Sequence, residues 1–68
     1  MEIFAERLLE LRLECKISQN RLAKELEVSE AIIHYWETKR SEPTATNLLK
    51  IAKYFGVTAD YLLGLSDE

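Results

Sequence analysis

Apolar side chains recur along the chain at the spacing of a helix face. Between Ile3 and Leu13 they stand at Phe4, Leu8 and Leu11, at intervals of four and three, which indicates an amphipathic helix. Four later segments also contain apolar residues that are expected to face a core. They are Leu22, Ala23 and Leu26; Ile33 and Trp36; Leu48, Ile51, Ala52 and Phe55; and Leu62 and Leu63. The pattern predicts five helices and no strand.

Residues that favour helix termini separate these segments. A serine or threonine that can accept a hydrogen bond from a free N–H precedes the last four helices; these expected N-caps are Ser18, Ser29, Thr44 and Thr58. Helix 2 is expected to end near Glu27 and helix 3 near Glu37, and the polar stretch 38–44, with Pro43, is expected to be a loop. Gly56 and Gly64 favour the left-handed conformation that ends a helix. Helices 2 and 3 are joined by roughly three residues, so they must cross steeply, as in a helix-turn-helix unit.

The composition fits one small globular domain spanning residues 1–68. Hydrophobic residues make up 47% of the chain and charged residues 31%, which argues against disorder. Cys15 is the only cysteine and His34 the only histidine, so neither an internal disulfide nor a structural zinc site is expected, and a reducing cytoplasm is the expected compartment. No other cofactor is indicated, and no signal peptide or membrane span is expected.

The net charge of −3 and the pI of about 5.1 count against nucleic-acid binding, which usually involves a basic surface. The charge is unevenly distributed, however. Residues 1–15 carry two basic and four acidic side chains, residues 41–68 also two and four, and residues 16–40 five and four. The middle segment, which contains the predicted helix-turn-helix, is the only one without a negative excess.

An enzyme is not expected. The chain has no nucleophile turn, no glycine-rich phosphate loop and no pair of carboxylates at a catalytic spacing.

Several motifs together resemble one family. The segments ISQNRLAKELEVSEAIIHYWE, EPT and NLLKIAKYFGVTADYLLG are similar to the Cro-and-repressor type (XRE-like) helix-turn-helix DNA-binding domains, over nearly the whole chain. The most specific parts are Ser18-Gln19, Val28-Ser29, Trp36-Glu37, Pro43 and the run from Asp60 to Gly64. The resemblance implies a compact, all-α, five-helix domain like that of lambda repressor. It also implies a bacterial or phage transcriptional regulator, expected to be a repressor, that binds double-stranded DNA.

The resemblance also implies which residues contact DNA. In that family helix 3 lies in the major groove and helix 2 points its N-terminus at a phosphate. The positions that match base-reading residues are Glu30, Ala31, His34 and Tyr35, and those that match phosphate-contacting residues are Gln19, Ser29, Thr38, Lys39 and Arg40. The chemistry is compatible, because Ala31 can touch a thymine methyl group and Glu30 can accept a hydrogen bond from cytosine N4.

Other matching residues are structural. Arg12 and Glu37 match a family ion pair that ties helix 1 to the end of helix 3. The family frequently has glycine where this chain has Lys16, Glu27 and Lys39; if these three residues are left-handed, each costs roughly 1 kcal/mol. The spacing of Trp36 from Ile33 places the indole inward rather than on a base.

Two apolar surfaces are left without a partner. Ala5, Leu9 and Leu13 form a second stripe on helix 1, and Tyr61, Leu62, Leu63 and Leu65 lie near the C-terminus. Isolated surface leucines are normal in monomers, but Leu9 and Leu13 are neighbours one helical turn apart. A homodimer on a palindromic operator is expected, with contacts drawn from Leu9, Leu13, Tyr61 and Leu65. The alternative is a protein-interaction module of the same fold that binds DNA weakly or not at all.

Overall fold

Five helices and no strand make up the structure. The computed structural model describes all 68 residues, with α1 at Glu2–Glu14, α2 at Gln19–Leu26, α3 at Glu30–Glu37, α4 at Ala45–Phe55 and α5 at Ala59–Leu63. The predicted all-α class is confirmed. None of the five helices has the length and apolar character needed to span a bilayer.

Side-chain caps begin α2 to α5, as the sequence predicts. The hydroxyl oxygens of Ser18, Ser29, Thr44 and Thr58 each accept a hydrogen bond from the N–H three residues later, at 3.0, 3.2, 3.2 and 3.0 Å respectively. Each bond satisfies a backbone donor that has no partner inside its helix. Gly56 and Gly64 end α4 and α5 with left-handed φ angles of 69° and 79°.

Three residues other than glycine adopt the left-handed conformation, at the ends of the first three helices. Lys16, Glu27 and Lys39 have φ angles of 58°, 59° and 68°. These are the positions at which the family resemblance predicts glycine geometry, so that prediction is confirmed. In this region the Cβ atom approaches the carbonyl oxygen that follows it, and each residue therefore stores a local conformational cost.

Every helix contributes to a single core. Ten side chains form the cluster: Phe4, Leu8, Leu22, Ala23, Leu26, Ile33, Trp36, Ile51, Ala52 and Leu62. The rings of Phe4 and Trp36 meet edge to face, with their centroids 6.2 Å apart, an arrangement that aromatic pairs prefer. The indole of Trp36 is buried, as predicted from its spacing. Because α3 supplies Ile33 and Trp36 to this core, the opposite face of α3 is left at the surface.

The predicted second stripe on α1 is wrong at one of its three positions. Ala5 is only 1% exposed, whereas Leu9 and Leu13 are 36% and 58% exposed. Ala5 directly follows the core residue Phe4, and α1 packs against both α3 and α5, so the inward face of α1 is wide enough to include both residues. The unpartnered surface of α1 is therefore formed by two leucines.

Candidate nucleic-acid interface

The outer face of α3 is a continuous exposed surface. Ile33 and Trp36 point into the core, and the side chains on the other side of the helix are in solvent. Positions i, i+1, i+4 and i+5 lie on one side of a helix; here they are Glu30, Ala31, His34 and Tyr35, all of them exposed. The structure thus groups the four predicted base-reading residues on one surface.

A basic segment follows directly after this face. Thr38, Lys39 and Arg40 are exposed. The guanidinium carbon of Arg40 lies 6.0 Å from the ring centroid of Tyr35, at the limit of a cation–π contact. The backbone N–H of Arg40 donates to the Tyr35 carbonyl oxygen at 2.9 Å, so a positive charge is placed beside the exposed face of α3.

Thr38 differs from Lys39 and Arg40, because both of its hydrogen-bond donors already have partners. Its hydroxyl donates to the carbonyl oxygen of His34 at 2.8 Å, and its backbone N–H donates to the same oxygen at 2.9 Å. A threonine hydroxyl has one proton to donate, and a phosphate oxygen needs a donor. In this conformation Lys39 and Arg40 are the residues of this segment whose side chains can donate hydrogen bonds to a phosphate.

Glu37 joins three helices. Arg12 forms a two-pronged ion pair with it, Nε to Oε2 at 2.7 Å and Nη2 to Oε1 at 3.0 Å. The side chains of Arg12 and Glu37 are 12% and 4% exposed. Gln19 Nε2 also donates to Glu37 Oε1 at 3.0 Å, a contact that the sequence analysis did not predict. One amide proton of Gln19 thus anchors the start of α2 to the end of α3, and its second proton remains as a donor.

The start of α3 has two polar contacts. Ser29 Oγ accepts from the N–H of Ile32, which leaves the hydroxyl proton of Ser29 as a donor. Asn20 Nδ2 donates to Glu30 Oε1 at 3.1 Å. Sequence reasoning missed Asn20, because no short-range pattern connects an asparagine in α2 with a glutamate ten positions later. No group of three or more His, Cys, Asp or Glu side chains is placed to hold a metal ion.

The sequence model of the family described as Helix-turn-helix matches residues 8 to 62, which include α2, the turn and α3. The chain belongs to the helix-turn-helix family. Among similar proteins, the HTH-type transcriptional activator BcrR of Enterococcus faecalis is 40% identical over 60 residues, covering 88% of this chain and 29% of that protein. Repressor protein C2 of Salmonella phage P22 is 37% identical over 62 residues, covering 91% and 29%. The chain therefore spans less than a third of the length of these two relatives.

Solved structures show the same architecture as this helix-turn-helix chain. A crystal structure of the P22 c2 repressor protein in complex with a synthetic operator superimposes with a TM-score of 0.85 at 35% identity, covering 91% of this chain and 94% of that one. The solution structure of the DNA-binding domain of the same repressor gives a TM-score of 0.83 at 37% identity, covering 96% and 88%. The predicted five-helix architecture, like that of lambda repressor, is confirmed.

Proposed function

We propose that this helix-turn-helix chain is the DNA-binding domain of a sequence-specific transcriptional regulator, a repressor in our interpretation. The observation that supports this most strongly is the exposed face of α3, on a fold that superimposes with a TM-score of 0.85 on a repressor in complex with an operator. In such complexes α3 lies in the major groove and its N-terminal residues contact base edges. Glu30, Ala31, His34 and Tyr35 are the proposed base-reading residues.

The phosphate contacts are proposed on both sides of α3. The N-terminus of α2 presents backbone N–H groups and the free amide proton of Gln19 to one phosphate, and the helix dipole favours an anion there. Ser29 has its hydroxyl proton available at the start of α3. Lys39 and Arg40 contact the DNA backbone on the other side. Thr38, whose donors bond to the carbonyl oxygen of His34, would contact phosphate only after giving up one of these bonds.

A pair of substitutions tests this division of roles. Arg40→Ala removes one phosphate contact, so we expect it to weaken binding to every duplex and to lower the salt slope by about one. Tyr35→Ala is expected to change which sequence is preferred. Lys53→Ala is the matched control, because Lys53 is exposed on α4 outside the helix-turn-helix. Fluorescence anisotropy with labelled duplexes at several salt concentrations measures both effects, and equal behaviour of all three variants would contradict the assigned face.

The second candidate function is a protein-interaction module. The net charge of −3, the carboxylate of Glu30 and the exposed side chains of Leu9 and Leu13 favour it. Selection of bound sequences from a random duplex library at two salt concentrations separates the two functions. A specific sequence with a steep salt dependence supports the regulator. Weak binding without sequence preference supports the interaction module.

We further propose that residues 1–68 form a single domain and that the protein acts in the cytoplasm. We also propose that two copies of the domain bind a palindromic operator. Two-fold symmetry would place two α3 helices about 34 Å apart on successive turns of the same DNA face. The free, exposed thiol of Cys15 is compatible with a reducing compartment.

A further inference from the structure

A hydrogen bond crosses the turn between α2 and α3 on the outer face of the domain. Asn20 is the second residue of α2 and Glu30 the first residue of α3. The amide Nδ2 of Asn20 lies 3.1 Å from Glu30 Oε1, and both residues are exposed. The contact therefore adds little to the core. It holds a carboxylate at the N-terminal end of α3, which the proposed function places in the major groove.

We infer that Asn20 is a positioning residue that aims the Glu30 carboxylate at the amino group of a cytosine in the operator. This inference rests on the function proposed above. It adds a specificity-determining residue outside α3 to the recognition of cytosine by Glu30.

The two carboxylate oxygens of Glu30 then differ in their hydrogen bonding. Oε1 accepts from Asn20, and Oε2 remains as an acceptor. An exposed glutamate samples several rotamers, and nearby phosphates would repel it. The neutral amide of Asn20 opposes both effects, because it restricts the side chain and keeps the negative charge at the N-terminus of α3, where the helix dipole favours it.

An acceptor in the major groove selects bases that present a donor. Cytosine N4 and adenine N6 carry the amino groups there, but adenine also presents the acceptor N7 beside its amino group. A carboxylate with no proton of its own is repelled by N7, whereas cytosine has only a C–H group at the adjacent position. Glu30 held by Asn20 therefore favours cytosine over adenine, and both over guanine and thymine.

The residue at position 20 can determine whether the residue at position 30 presents a hydrogen-bond acceptor or a donor to the base. In Glu30→Gln the amide can turn either its oxygen or its nitrogen outward, so we expect the preference for cytosine to be largely lost. In the double variant Asn20→Asp with Glu30→Gln, the aspartate accepts from the glutamine nitrogen, which turns the glutamine oxygen towards the base. The double variant should therefore recover the preference for cytosine.

The experiment starts with the wild-type chain, whose preferred sequence is selected from a random duplex library. Binding is then measured by anisotropy on four duplexes that differ only at the base pair contacted by position 30. We expect Asn20→Ala to reduce the preference for cytosine about tenfold, which is within the range of discrimination that a specific base contact provides, with an unchanged salt slope. Asn47→Ala is the matched control, because its side chain lies on α4 outside the helix-turn-helix.

The outcomes separate the inference from the function on which it rests. If Asn20→Ala weakens binding to all four duplexes equally, or if the double variant does not recover the preference for cytosine, Asn20 has only a structural role and the inference is wrong while the regulator function stands. If the wild-type chain selects no sequence, the regulator function itself is wrong, and the inference fails with it.

Discussion

The side chain of Glu37 is hydrogen-bonded to two other helices. It is the last residue of α3, and its carboxylate accepts bonds from Arg12 in α1 and Gln19 in α2. Its side chain is 4% exposed, and a buried carboxylate is tolerated only when its lone pairs are satisfied. The ion pair therefore orients α3 relative to α1, and the Gln19 hydrogen bond orients α2 relative to α3. Together they position the donors that are proposed to contact phosphate.

Removing Arg12 should leave an unpaired buried charge. We expect Arg12→Met to lower the free energy of unfolding by about 3 to 5 kcal/mol, because the methionine retains the apolar stem but not the partner of Glu37. Urea denaturation followed by circular dichroism measures the change. Arg21→Met is the matched control, since Arg21 pairs with Glu25 at the surface and should change stability by less than about 1 kcal/mol. Similar losses in the two variants would contradict a special role for the buried pair.

Glu27 shows that the family geometry of the turn is retained without glycine. Its φ angle of 59° places a glutamate where the backbone favours glycine, between α2 and α3. The turn is therefore formed at a conformational cost, which the packing on either side of it must exceed.

Glu27→Gly should relieve this cost. We expect the domain to gain up to about 1 kcal/mol of stability, reduced in part because glycine also increases the entropy of the unfolded chain. Lys24→Gly, in the last turn of α2 where the backbone is right-handed, should instead lose up to about 1 kcal/mol. Thermal unfolding of both variants shows whether the sign of the change depends on the backbone conformation; a loss at both positions would argue against strain at Glu27.

Among the secondary-structure elements, short-range chemistry determines where α2 to α5 begin. The hydroxyls of Ser18, Ser29, Thr44 and Thr58 bond to N–H groups three residues away, and a contact this local is visible in sequence spacing. For this reason the predicted N-caps agree with the structure at all four positions. The face of each helix also follows from local spacing, except that Ala5 and Leu62, each assigned to a surface without a partner, are buried. The width of the buried face of a helix depends on which helices pack against it.

Thr44 and Thr46 provide a matched test of capping. Thr44 Oγ1 accepts from the N–H of Asn47, whereas Thr46 is exposed in the first turn of the same helix. We expect Thr44→Ala to lower the free energy of unfolding by about 1 kcal/mol and Thr46→Ala to change it by less than about 0.5 kcal/mol. Chemical denaturation of the two variants measures the difference, and equal effects would show that the cap contributes nothing.

At the scale of the whole molecule, Arg7 connects the two ends of the chain. Its guanidinium donates to the carbonyl oxygens of Tyr61 and Ser66 and lies 4.2 Å from the ring centroid of Tyr61. A small domain buries a limited share of its surface, so contacts of this kind matter for its stability. They also cover one face of Tyr61, which leaves Leu65, at 75% exposed, as the more accessible residue of the C-terminal surface.

The proposed dimer has two candidate surfaces, and we predict that α1 provides the contact. Leu9→Ser together with Leu13→Ser should convert the dimer into a monomer that still folds, because neither side chain is part of the core. Leu49→Ser is the control, since Leu49 is 57% exposed on α4 and belongs to neither surface. Analytical ultracentrifugation measures the mass; a dimer that persists in the double variant but is lost on Leu65→Ser would move the interface to the C-terminal end.

The five helices, the N-caps of α2 to α5, most of the inward faces and the family could be predicted from the amino-acid sequence, because each of these depends on residues within about four positions of one another or on motifs in fixed order. Apart from Arg12 and Glu37, whose ion pair the family resemblance implied, the distant side chains that meet could be identified only from the folded structure. Asn20 and Glu30 are ten positions apart, Gln19 and Glu37 are eighteen, and Arg7 and Ser66 are fifty-nine. Such contacts follow from the crossing of the helices around the core, and helix periodicity contains no information about them.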